Sequence, residues 1–345
     1  MKKWVALFFL ALYSSISFAC SGFLLNKNGH YVFGRNYDWV TGNGAVMINS
    51  RGAQKQSFVP GEGKTISWTS KWGSVSFNQF GKQFLHGGMN EKGLVVELMW
   101  LSETAYPNPD NRAALNELQW VQYQLDNCTT VDEVIATDAI VRISREGAAP
   151  LHYLIADANG RAATIEFING KMVVHTGKNL SYPVLTNTVY KDAIQEAGKQ
   201  KINDNSVARF STACQMLQKF ENSSSKENAV DASFTILDKI AQGDYTKWRI
   251  AYDISSRSIY FITNDAAKRK EISFRTINFS CTGKNLYLNI NNQFSGDVSR
   301  HFSDLNFEQN KTIMERSAKE SKGHIEIPAS AINAAASYYR QIGCK

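Results

Sequence analysis

Asn28-Gly29 separates two apolar runs, Cys20 to Leu25 and Tyr31 to Trp39, and that arrangement commits the start of the chain to a β-hairpin. Both residues tolerate the positive φ that a two-residue type I′ turn demands. With this pair as the loop the register follows: Cys20 falls opposite Tyr37, and Arg35, Asn36 and Asp38 gather around it. The hairpin therefore delivers a cation and a carboxylate to a thiol.

What precedes Cys20 gives that thiol its interest. Met1-Lys2-Lys3 is a positive n-region, Trp4 to Tyr13 a compact apolar stretch, and Ser17 and Ala19 are small residues where a signal peptidase inspects the chain. Cleavage of residues 1–19 would leave Cys20 as a first residue carrying its own free amine, a nucleophile and a base in one residue. A cysteine after small residues also fits a lipoprotein acceptor, but Ser17 stands where such signals usually carry leucine. A periplasmic or secreted protein is the expectation, with no membrane segment once the leader is gone, since no later run approaches the ~20 apolar residues of a transmembrane helix.

The thiolate is the reactive form of cysteine, and a nearby guanidinium such as Arg35 favours it. A carboxylate such as Asp38 can hold the α-amine in place while it moves a proton. An ordinary cross-strand ion pair is the alternative for Arg35 and Asp38. Removing the leader takes away Lys2 and Lys3, lowering the formal net charge from +7 to +5 over 326 residues. No Lys/Arg stripe with interleaved aromatics appears, so nucleic acid is not an expected partner. The cysteines Cys20, Cys128, Cys214, Cys281 and Cys344 form no Cys-x-x-Cys, and no His-x-x-x-His occurs. No metal or other cofactor is expected. In an oxidising compartment Cys281 could bridge Cys344, and four buried thiols are the equal alternative.

Further along, Ala45–Asn49 and residues 66–77 alternate as strands do, with Pro60-Gly61-Glu62-Gly63 as a turn; residues 84–86 and 94–101 read as a hairpin around Asn90-Glu91-Lys92-Gly93. Helical spacing covers residues 115–124 and 131–142, with Thr130 and Glu133 placed as a capping box. Residues 151–156, 164–167 and 172–175 are strands joined by Asn159-Gly160 and Asn169-Gly170; 207–219 is a helix, and 248–252 with 258–263 a hairpin. Residues 321–344 end in an alanine-rich helix after Pro328, an arm either between subunits or over the core. Strands, then helices, then strands predict an α+β fold with mostly antiparallel sheets and one core, a single domain over residues 20–345.

Several stretches together resemble the choloylglycine hydrolases and penicillin V acylases of the N-terminal nucleophile hydrolase superfamily. They are Cys20-Ser21-Gly22, Phe33-Gly34-Arg35-Asn36-Tyr37-Asp38, Gly88-Met89-Asn90-Glu91-Lys92-Gly93-Leu94, Leu185-Thr186-Asn187, Ala208-Arg209-Phe210 and Tyr252-Asp253. The resemblance covers roughly residues 20–265 and weakens after about 270. It implies a four-layer αββα sandwich, a homotetramer and hydrolysis of an N-acyl amide substrate. Carried onto the matching residues, Cys20 is the nucleophile, its α-amine the base, Asp38 the group orienting that amine and Arg35 the stabiliser of the thiolate. Asn187 becomes an oxyanion donor and Arg209 the second positive charge.

The departures bear on substrate. Trp100 stands where bile salt hydrolases carry an asparagine, so a backbone N–H is expected to take that donor's place. With Trp39 directly after Asp38, the acyl pocket looks aromatic, which suits a phenoxyacetyl or long acyl group better than a steroid. The resemblance is thus to the Gram-negative penicillin V acylase branch, whose members can also cleave acyl-homoserine lactones. Conjugated bile salt hydrolysis is the alternative within the family, and a lipidated or secreted binding protein using Cys20 as an anchor is the alternative outside it.

Overall fold

The computed structural model describes residues 20–59, 63–224 and 227–344; the leader and all but the last residue of the Pro60–Gly63 turn lie outside them. The first hairpin forms in the register its turn demands. Asn28 and Gly29 take φ of 54° and 81°, and strand Ser21–Lys27 pairs antiparallel with His30–Asp38, Ser21 facing Asn36 and Lys27 facing His30. Gly34 lies opposite Phe23, whose ring comes within 2.3 Å of where a Cβ would sit, so no larger residue fits there.

This hairpin lies inside a seven-stranded sheet, bordered by Val184–Leu185 on one side and Thr246–Asp253, Ser258–Thr263, Ala266–Ser273 and Gly296–Asp297 on the other. A second sheet has nine strands. In spatial order they are Lys171–Thr176, Ala162–Ile168, Leu151–Ala156, Val95–Trp100, Gly87–Asn90, Ser74–Asn78, Ala45–Asn49, Leu286–Asn289 and Ser303–Asp304. The inner faces meet through aromatic contacts such as Phe77 with Tyr252 and Phe261, at centroid distances of 6.0 and 5.5 Å. Burying these rings removes large apolar areas from water and couples the sheets.

Helices α1 (Glu117–Asn127) and α2 (Val131–Ala136) share an apolar cluster with the outer face of the second sheet. Thr130 and Glu133 close the expected capping box at the start of α2. On the outer face of the first sheet lie α3 (Tyr190–Ala197), α4 (Asn205–Glu221) and α5 (Ala229–Lys239). The sheets are mostly antiparallel, as the sequence pattern predicts, and the order of layers is αββα, as the family resemblance implies.

Local readings needed correction where tertiary pairing prevailed. The helix expected over 131–142 stops at Ala136, because β-branched Val141 and Ile143 pair in parallel with Ala113–Leu115. The strand expected at 84–86 begins instead at Gly87. A Cβ on Gly87 would sit 2.1 Å from the Glu97 carboxyl group, so the glycine that lowers strand propensity is what makes room across the pair. The run 66–77 divides: Ser67–Thr69 joins a three-stranded sheet with Ala53–Gln56 and Gly343–Cys344, while Ser74–Asn78 enters the second sheet.

Cys281 and Cys344 form a disulfide that secures the C-terminal strand, so the reading with four reduced thiols does not hold; Cys128 and Cys214 are buried free thiols. Two more helices, α6 (Phe307–Glu320) and α7 (Ala329–Tyr338, following Pro328), pack on each other and against Phe58 and Phe84. The arm lies over the body of its own chain: Ser317 Oγ donates to the Gln79 carbonyl at 2.7 Å, and Trp39 Nε1 donates to Ser321 Oγ at 2.9 Å. Among the described residues no helix is long and apolar enough to cross a membrane.

Candidate active site

The site forms where the first hairpin's open end meets the second sheet, α4 and the C-terminal arm. Cys20 is buried, 5% exposed, and its Sγ contacts the Asp38 carbonyl at 3.8 Å. Burial pushes the thiol above its ordinary value, and Arg35 and Arg209, which pull the other way, do not cancel it. The resting residue is thus a thiol in need of a base, rather than the standing thiolate that proximity to Arg35 alone suggests.

Arg35 lies beneath the nucleophile, 1% exposed, with its Nε 3.1 Å from Glu97 Oε2 and its guanidinium carbon 5.6 Å from the centroid of Tyr37. Its two terminal nitrogens have no hydrogen-bond partner among the described residues, which leaves their charge acting on the space around Cys20. Glu97 also accepts from the Tyr252 hydroxyl, and burial raises its carboxyl to about 7.

Asp38 is fully buried. One carboxylate oxygen accepts from Thr246 Oγ1, and the other accepts from no side chain or backbone among the described residues. Burial raises its pKa to about 6 against the opposing pull of Thr246 and Arg209. Asp38 is thus ionised at pH 7 and loses its charge as the pH falls through about 6. If that charge holds the base, kcat/KM should drop across this range, and Asp38→Asn should lower kcat and remove the inflection near pH 6. An unchanged pH profile in that variant would move Asp38 out of the mechanism.

Arg209, on α4 and 5% exposed, ties the remaining residues together. Its Nη1 donates to the Cys20 carbonyl at 2.8 Å and to Ser21 Oγ at 2.6 Å, and its Nη2 donates to Asn187 Oδ1 at 3.1 Å. Asn187 in turn gives one amide hydrogen to the Trp100 carbonyl at 2.8 Å, and its backbone N–H goes to Ser206 Oγ at 2.8 Å. The amide plane is fixed by these contacts, and an –NH2 group has a second hydrogen to offer.

An apolar cavity of about 540 Å³ opens beside Cys20, and both Trp39 and Trp100 line it, their ring centroids 6.3 Å apart. Its far wall comes from the arm, through Met314, Ile325, Ile327 and Ile332. The structure thus brings together Cys20, Arg35, Asp38, Asn187, Arg209, Trp39 and Trp100. Sequence reasoning missed Glu97 and Thr246, quoted Tyr252 without a role, and placed the arm either between subunits or over the core without linking it to the site; a lone carboxylate inside the apolar run 94–101 was the available signal for Glu97. His86 also lines the cavity, but burial and Arg35 lower its pKa to about 3, too weak a base for neutral pH. Among the described residues no group of three or more His, Cys, Asp or Glu side chains could hold a metal ion.

The profile of the family described as linear amide C-N hydrolases, choloylglycine hydrolase family, matches residues 20–195, beginning on Cys20 itself. Penicillin V acylase of Pectobacterium atrosepticum is 34% identical over an alignment of 197 positions that covers 52% of this chain and 52% of that protein, so the match spans about half the length of the relative. Among solved structures, penicillin V acylase from Agrobacterium tumefaciens superposes with a TM-score of 0.72 at 24% identity, covering 83% of this chain and 98% of that one. A variant of conjugated bile acid hydrolase from Clostridium perfringens gives 0.67 at 16% identity, covering 80% and 98%. At these identities the two superpositions establish the fold.

Proposed function

We propose, from the premise that this chain belongs to the choloylglycine hydrolase family of linear amide C-N hydrolases, that it cleaves N-acyl amides with a hydrophobic acyl group. The observation that carries this reading is the convergence of Arg35, Arg209 and, through Arg209, Asn187 on Cys20, which with Asp38 lines an apolar cavity. Once residues 1–19 are removed, the Cys20 α-amine takes the thiol proton as sulfur attacks the amide carbonyl carbon. Asn187 Nδ2–H and a backbone N–H stabilise the oxyanion, a contribution of about 3 to 4 kcal/mol for one such donor in other enzymes. The C–N bond then breaks, the leaving nitrogen receives the proton from the α-ammonium, and an acyl thioester remains on Cys20. Water, deprotonated by the same amine, attacks the thioester; the carbon–sulfur bond breaks, the Cys20 thiolate takes the proton back from the α-ammonium, and the acid departs, losing its proton to solvent as the carboxylate.

The aromatic wall of Trp39 and Trp100 supports phenoxymethylpenicillin as a substrate, and the depth of apolar lining supports N-acyl-homoserine lactones, whose amide carries an aliphatic chain. The disulfide between Cys281 and Cys344 supports maturation in the periplasm or outside the cell, where such bonds persist. A tetramer is the assembly we expect of the mature protein.

The test is a substrate panel with wild type and Trp100→Ala. Trp100 is only partly buried and lines the cavity, so its truncation should lower the melting temperature much less than emptying a fully buried tryptophan site, which costs about 3 to 5 kcal/mol. The expected result is a loss of about tenfold or more in kcat/KM on phenoxyacetyl and long-chain acyl amides. Efficient cleavage of glycocholate by wild type, with weak action on penicillin V, would instead make this a bile salt hydrolase.

A further inference from the structure

Beneath the site, a fully buried pair on adjacent strands of the second sheet brackets the loop that carries Asn187. His152 Nε2 lies 2.6 Å from the Thr186 carbonyl oxygen and, because a carbonyl can only accept, is the donor there. On the other side of the ring, His152 Nδ1 is 3.2 Å from Glu166 Oε1. That same oxygen accepts from the backbone N–H of Tyr190 at 2.9 Å. His152, Glu166 and Thr186 are all 0% exposed. The pair thus grips the chain immediately before Asn187 and again at the first residue of α3, leaving 187–189 as a short span fixed at both ends.

From this geometry we propose that His152 and Glu166 are positioning residues for Asn187, acting through the Thr186 carbonyl and the Tyr190 amide. The inference rests on the reading of Asn187 as an oxyanion donor. A loop residue gains its place from backbone bonds, and between Leu185 and Tyr190 the strand pairing has ended and the helix has only begun. Ser206 Oγ and Arg209 hold Asn187 from the α4 side. The buried pair supplies the opposing anchors from the second sheet. A donor displaced by about 1 Å can lose on the order of a hundredfold in rate, so the anchors matter to kcat without touching substrate.

The test is a double-mutant cycle on the mature protein with penicillin V as probe, joining His152 variants to Asn187→Ala. His152→Asn is too short to reach the Thr186 carbonyl and should lower kcat at least about tenfold with little change in KM. His152→Gln keeps a donor at greater reach and should recover most of that loss. Asn187→Ala should cost much less in the His152→Asn background than in wild type, because the donor it removes is already out of place. Wild-type kcat in folded His152→Asn, or losses that add in full, would overturn the proposal. If His152→Asn is insoluble, Glu166→Gln, which keeps the side chain's size, is read by the same coupling criterion. Inactivity of the wild type on penicillin V, the acyl-homoserine lactones and glycocholate alike would refute the amidase reading instead, and full activity in Asn187→Ala alone would refute the donor role.

Discussion

Cys20→Ser should fold and mature normally and lose at least about a thousandfold in kcat, in line with removal of the nucleophile from other covalent hydrolases. The substitution exchanges sulfur for a smaller oxygen at a position 5% exposed, leaving the hairpin and its partners in place. What changes is acidity. Burial already raises the thiol above its ordinary value, so reaching the thiolate depends on a base and on the charges of Arg35 and Arg209. A hydroxyl is several pH units harder to ionise and is the weaker nucleophile, in a site set for the longer carbon–sulfur bond. The measurement is steady-state turnover beside a thermal melt. A folded serine variant with more than a tenth of wild-type kcat would remove Cys20 from the chemistry.

An enzyme that keeps one residue ahead of Cys20 should be inactive while its melting curve is unchanged. An α-amine titrates near 7.7 to 8.0 and can accept a proton at neutral pH. Converting it to a peptide nitrogen removes that lone pair from acid–base chemistry. The other groups near the thiol do not replace it: His86 is held neutral with a pKa of about 3, and Asp38, at about 6, is engaged by Thr246. A preparation bearing Ala19, checked by intact mass, should show kcat below about a hundredth of the mature form, the range by which a lost general base slows a reaction. Undiminished turnover of the extended protein would require a different base.

These two expectations draw on a part of the molecule that is legible in the sequence. The positive φ of Asn28 and Gly29 closes a two-residue loop, and from that loop the pairing of Ser21 with Asn36 follows by counting. The strands joined by Asn159-Gly160 and Asn169-Gly170 are legible for the same reason, as is the capping box of Thr130 and Glu133. Each is decided by residues within a few positions of one another, where conformational preference acts without help from the rest of the chain.

What the tertiary structure alone decided is the meeting of distant parts. Gly87 looks like a strand breaker until Glu97 is seen to occupy the space its missing side chain leaves, and Glu97 looks like a misplaced charge until Arg35 and the Tyr252 hydroxyl are found against it. Val141 and Ile143 fit a helical period yet pair as a strand, because edge pairing with Ala113–Leu115 outweighs a weak local preference. The arm over the cavity belongs to this class as well, since Ile325 and Ile332 come to share a cavity with Cys20 only after some three hundred residues of intervening chain have folded into two sheets. Local sequence determined the hairpin and with it the neighbours of the thiol. The cavity wall, the partner of Arg35 and the bonds that orient Asn187 depend on long-range packing, which leaves no periodicity or spacing for a linear reading to find.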